Sequence, residues 1–189
     1  PIFETGNHTP ISIMDSVNNH DDSVFYIEKH IADDVRAAGR AAVKSFGVKS
    51  RFVHFEFFRL TEDHDYLGKK GKIIGLEVNY RPSGGFTPDM INYACSTDVY
   101  KDWADMVAFD RLTKEEYPDK YYCVSAGCRK EKHYLHSYEE VRAAYKDDIM
   151  MTTELPEVLA SAMGDRLYLA RFAEKEDMDA FISYVFATA

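Results

Sequence analysis

Residues 75–85 read GLEVNYRPSGG, with Glu77, Asn79 and Arg81 on alternate positions of an apolar segment that runs into the pair Gly84-Gly85. A carboxylate and an amide two residues apart are oxygen donors of the kind Mg²⁺ selects, and a guanidinium presents a planar fork that grips phosphate or carboxylate. Upstream, residues 51–60 (RFVHFEFFRL) set a second acid, Glu56, in a run of aromatic residues, where an unpaired charge is costly to bury. Both segments alternate as strands do: Val53, Phe55 and Phe57 against Phe52, His54, Glu56 and Phe58, then Ile74, Leu76 and Val78 against Ile73, Gly75, Glu77 and Asn79. Residues 61–71 (TEDHDYLGKKG), charged and glycine-bearing, are expected to close them into an antiparallel hairpin. A register centred in that loop faces Glu56 with Glu77 and His54 with Asn79.

Like charges opposed across a strand pair cost about 0.2–1 kcal/mol on an exposed sheet and more when desolvated. A cation between them removes the penalty. The plain alternative is a solvated sheet face on which the glutamates pair with Arg51, Arg59 or Lys72. The aromatic company of Glu56 argues for a drier face. Beyond Arg81, Thr87 followed by Pro88 reads as an N-cap with proline at the first helical position, so a helix is expected to begin at Pro88. Its start would favour an anionic substrate group over Gly84 and Gly85, which have no side chain to block close approach. An ordinary tight strand-to-helix turn accounts for the same glycines.

These residues resemble the ATP-grasp ligases, whose second half carries an acid on one core strand and Glu-x-Asn-x-Arg on the next. The matching positions are Glu56, then Glu77, Asn79 and Arg81, followed by Pro82 and Gly84-Gly85. The resemblance covers roughly residues 1–109. It implies that Glu56, Glu77 and Asn79 hold the Mg²⁺ ions that bridge the phosphates of ATP. It also implies that Arg81 binds the nucleotide and steadies the transferred phosphoryl group or the acyl phosphate, and that Arg81, Gly84 and Gly85 meet substrate. The activity implied is a carbon–nitrogen ligase taking small carboxylate and amine substrates, with ATP and Mg²⁺. Two other readings stand beside it: a carboxyphosphate-forming enzyme of the carbamoyl-phosphate synthase or biotin carboxylase type, and a non-catalytic interaction or dimerisation module with vestigial acids.

The departure from the family is equally informative. An ATP-grasp domain needs an earlier half with a nucleotide-clamping lysine, a flexible phosphate-covering loop and an adenine-recognising strand, and none of these fits before Glu56. Gly6, Gly39 and Gly47 are isolated, and neither GxGxxG nor GxxxxGK occurs. The expectation is a fragment of a longer protein, inactive toward ATP by itself, whose residues before Pro1 would decide the class. The expected fold is α+β: residues 1–110 as the C-terminal part of an ATP-grasp domain with an antiparallel sheet and packed helices, 111–120 as a linker, and 121–189 as a small α+β lobe.

With 189 residues, 46% hydrophobic and 14% aromatic, the chain can bury one large core or two small ones. A net charge of −9 argues against a nucleic-acid surface, which needs clustered Lys and Arg. Lys69, Lys70 and Lys72 are the one dense basic patch, and beside Glu62, Asp63 and Asp65 they read as a solvated hairpin tip. No apolar run approaches the roughly 20 residues that span a bilayer, so a cytoplasmic home without membrane contact is expected; a homodimer is left open. Cys95, Cys123 and Cys128 fit reduced thiols, and Cys123, Cys128, His133 and His136 make only a weak zinc pattern.

The remaining elements follow from periodicity. Residues 2–14 read as two short strands around a Gly6-Asn7 turn, and 15–23 as a polar loop. Residues 26–46 read as one long amphipathic helix closed by Gly47, and 98–109 as a helix burying Val99, Trp103, Met106 and Val107. Residues 121–129 and 133–136 suggest a hairpin. Ser137 opens a helix through a capping box with Glu140. A strand at 149–153, a helix at 156–163 closed by Gly164, a strand at 166–173 and a helix at 175–186 complete the chain.

Overall fold

A computed structural model describes residues 3–10, 13–114 and 120–188. The elements are β1 (Gly6–His8), α1 (Ile13–Asn19), β2 (Ser23–Glu28), α2 (Asp33–Ser45), β3 (His54–Arg59), β4 (Ile73–Asn79), α3 (Thr87–Cys95), α4 (Val99–Phe109), β5 (Tyr122–Cys128), α5 (Tyr138–Ala144), β6 (Ile149–Glu154), α6 (Glu157–Met163), β7 (Arg166–Phe172) and α7 (Lys175–Val185). Among the described residues they gather into two compact units. One takes in His30–Pro88 and 98–114, the other Phe3–Lys29, Asp89–Thr97 and 120–188. β1 and β2 from the N-terminal segment complete the sheet of the later part. Residues 115–119 of the expected linker lie outside the described residues.

The larger unit is a five-stranded, wholly antiparallel sheet in the order β1-β2-β5-β7-β6. β5 is buried at every position but its first, as a central strand covered on both faces must be. One face packs Tyr26, Val124, Ala126, Tyr168, Ala170 and Phe172 against Val141 of α5 and Met178, Phe181 and Val185 of α7. Ring edges meet there: Tyr145 stands at 81° to Phe181, with centroids 4.9 Å apart. The α5 capping box forms as the sequence suggests, Ser137 accepting from the Glu140 amide and Glu140 from the Ser137 amide.

Five segments differ from the sequence expectation. The helix expected over 26–46 begins only at Asp33, and Ser23–Glu28 is strand β2, paired with β5 through Tyr26↔Val124 and Ile27↔Cys123. A run of branched and aromatic residues went to the sheet, although Ile27 and Ile31 also satisfy helical spacing. Residues 6–8 form a strand where a turn was expected, and 13–19 a helix where a strand end and loop were expected. Residues 133–136 make no hairpin with β5; Tyr134 bridges Thr188, and its hydroxyl accepts from the Arg129 amide and donates to Asp22. In α4 the buried positions are Val99, Asp102 and Met106, while Trp103 and Val107 face outward at 49% and 65% exposure.

Candidate active site

The smaller unit holds the hairpin β3–β4, a two-stranded antiparallel sheet. Its register is Glu56↔Glu77 and His54↔Asn79, so all four residues stand on one face, as the sequence spacing suggests. Past Glu56 the register shifts, with Phe57 paired to Gly75 and Leu76 left as the additional residue of a bulge. The shift breaks the simple alternation read from sequence. It accompanies an opened face: Phe58 and Leu76 are 53% and 55% exposed, and neither strand contains a buried residue. The dry aromatic surroundings expected for Glu56 are therefore absent, and its side chain is 42% exposed.

The tip of the hairpin folds on itself. Asp63 accepts from Lys69 Nζ at 2.7 Å and from the Lys70 amide at 3.0 Å, which holds its carboxyl below the usual range, and His64 bridges Gly68. Lys72 donates to Leu67 O at 2.7 Å. At the loop end of the strands, Arg59 donates through two nitrogens to the Asp34 carboxylate of α2, and α2 packs on β4. Arg51 donates to Ser50 O and lies 4.0 Å from Asp110. The three cations that could have neutralised the glutamates are thus engaged elsewhere.

The acids have closer companions. Asn79 Nδ2 donates to Glu77 Oε1 at 2.7 Å, and His54 Nε2 lies 3.8 Å from Glu56 Oε1. Among the described residues no three His, Cys, Asp or Glu converge as a metal centre. The donor set here is two carboxylates and one amide. Mg²⁺ commonly takes one or two carboxylates and completes its octahedron with phosphate oxygens and water, so the set fits that ion in company with a nucleotide better than a resident, fully protein-caged metal.

Arg81 follows the end of β4; its guanidinium is exposed and donates to Pro82 O at 2.9 Å. Gly85 has φ +60°, the left-handed conformation that favours glycine, and the Thr87 amide donates to Gly84 O across the turn into α3. At Gly84 an added Cβ would meet no atom within 4 Å. The turn therefore explains Gly85, and the protein's own packing does not explain Gly84.

The cysteine–histidine pattern does not assemble. Cys123 and Cys128 are five residues apart on β5, hence on opposite faces, and burial pushes both thiols up, Cys128 to about 12. His136 stacks on Tyr184, with centroids 3.6 Å apart. The side chain that the sequence reading placed opposite Asn79 without giving it a role is His54. Its signal was present: it stands two positions before Glu56 and so shares its face.

No protein-family model matches the chain, and no curated protein matches it. Among solved structures, an L-amino acid ligase from Bacillus licheniformis is similar, with a TM-score of 0.57 and 15% sequence identity over 84% of this chain and 43% of its own length. No helix among the described residues is long and apolar enough to cross a membrane. At that identity the likeness speaks for the architecture: this chain, an α+β assembly of antiparallel sheets and packed helices, has an ATP-grasp-like fold and spans less than half the length of that ligase.

Proposed function

We propose that this chain carries the magnesium–nucleotide end of an ATP-grasp ligase that joins a small carboxylate to an amine through an acyl phosphate. The observation behind the reading is the cross-strand pair Glu56–Glu77 with Asn79 on the same face. Two carboxylates held opposite each other, with the neighbouring Arg51, Arg59 and Lys72 committed elsewhere, favour a divalent cation. Glu56, Glu77 and Asn79 would hold Mg²⁺, which when bound neutralises charge on the phosphates of ATP.

The other residues act directly on substrate. Arg81 has a single neighbouring carbonyl to give up and a planar fork to offer, so it binds the phosphoryl or acyl-phosphate oxygens and is the catalytic residue of the set. Gly84 leaves room for the anionic group of the substrate beside Arg81, and Gly85 turns the chain away. The three reduced, buried cysteines are consistent with a cytoplasmic setting. The likeness to an amino acid ligase supports carboxylate and amine substrates.

The test is Glu77→Ala in the whole ligase, assayed for ATP-dependent phosphate release with a panel of carboxylates and amines. Glu77 is exposed, so the variant should keep its circular dichroism spectrum and melting temperature while losing turnover. Turnover retained at the wild-type rate would overturn the proposal.

A further inference from the structure

His54 occupies the fourth corner of the square formed with Glu56, Glu77 and Asn79. Its Nε2 faces Glu56 Oε1 at 3.8 Å, while its Nδ1 is buried with no hydrogen-bond partner. An ionised carboxylate only accepts hydrogen bonds, so the ring nitrogen turned toward it is the donor. That contact places the proton on Nε2.

We propose that His54, as its Nε2–H tautomer, is a positioning residue that aims the Glu56 carboxylate across the strands toward Glu77 and Asn79. This rests on the ion-binding reading given above. The 3.8 Å separation is longer than a hydrogen bond and would shorten once Glu56 takes an ion. His54 then stands to Glu56 as Asn79 stands to Glu77, each fixing one oxygen of its carboxylate partner. Groups that orient a metal-binding side chain in this way typically contribute about 10–100-fold in ion affinity.

Two measurements test it. In imidazole-¹⁵N-labelled protein, the long-range ¹H–¹⁵N pattern of the neutral His54 ring should show a protonated Nε2 and a bare Nδ1; an Nδ1–H tautomer would overturn the proposal. Mn²⁺ binding, followed by loss of the free-ion electron paramagnetic resonance signal, should weaken about tenfold in His54→Phe. His54→Gln, which restores an N–H donor, should recover most of that loss; a Gln variant as weak as Phe would overturn the role, with amide spectra of the hairpin confirming that both variants fold. Unchanged affinity in His54→Phe alongside lost affinity in Glu77→Ala would overturn the role of His54 and leave the ion site standing. Absence of Mn²⁺ binding by the unaltered chain, with ATP present as well as without it, would overturn both.

Discussion

An added Cβ at Gly127 would fall 1.8 Å from Met163 O, and one at Gly164 would fall 2.6 Å from the carbonyl carbon of Gly127. The two backbones touch there, between β5 and the end of α6, and nothing larger than hydrogen fits. Gly127→Ala should therefore destabilise the protein by at least about 1–3 kcal/mol, read from its urea midpoint. Gly84→Ala is the counterpart: the fold leaves the space open, so its midpoint should stay within about 0.5 kcal/mol of the parent, while in the proposed whole ligase KM for the carboxylate substrate should rise. A stability loss at Gly84 would return that residue to a purely structural role. The shared face of Glu56, Glu77 and Asn79 was legible because strand alternation and their distance from the loop constrain them locally. Which glycine the fold needs was not legible, since the answer lies with Met163, far along the chain. The same holds for Arg129, 3% exposed, whose guanidinium donates to the carbonyls of Asp21, Ala160 and Ser161, brought together only by folding.

The contact that ties down the loop end of the acid hairpin joins two elements, Asp34 in α2 and Arg59 in β3. The Arg59 guanidinium bound to it, helped by the Val35 amide, lowers the Asp34 carboxyl from 3.8 to about 2. A carboxyl lowered on folding contributes stability above its unfolded value, and that contribution fades as pH falls from 3.8 toward 2. Carboxyl ¹³C titration should place the Asp34 midpoint at about 2, and Arg59→Ala should return it toward 3.8; a midpoint that does not move would contradict the pairing. Elements with local signals were legible. The α5 capping box forms as expected, and Gly47, at φ +60°, closes α2 with its amide and that of Val48 donating to Lys44 O and Val43 O. Residues 23–28 were misread because pairing with β5, nearly a hundred residues later, overrides a spacing that helix and strand both satisfy.

At the scale of the whole molecule, every residue assigned to the candidate site, from Glu56 to Gly85, belongs to one compact unit, together with His54. Its geometry is a property of that unit's own hairpin and following turn. The sequence located this hairpin and its register, whereas it did not reveal that the N-terminal strands belong to the other unit's sheet, because that pairing is non-local. The central claim concerns the side chains of Glu56, Glu77 and Asn79, and Mn²⁺ tests it most directly, since carboxylate sites that suit Mg²⁺ also take Mn²⁺. In ¹⁵N-labelled protein, substoichiometric Mn²⁺ should broaden the amides of His54, Glu56, Glu77 and Asn79 first, and Glu77→Ala should abolish the effect. Broadening confined to other acidic surfaces, with these four amides sharp, would contradict the account.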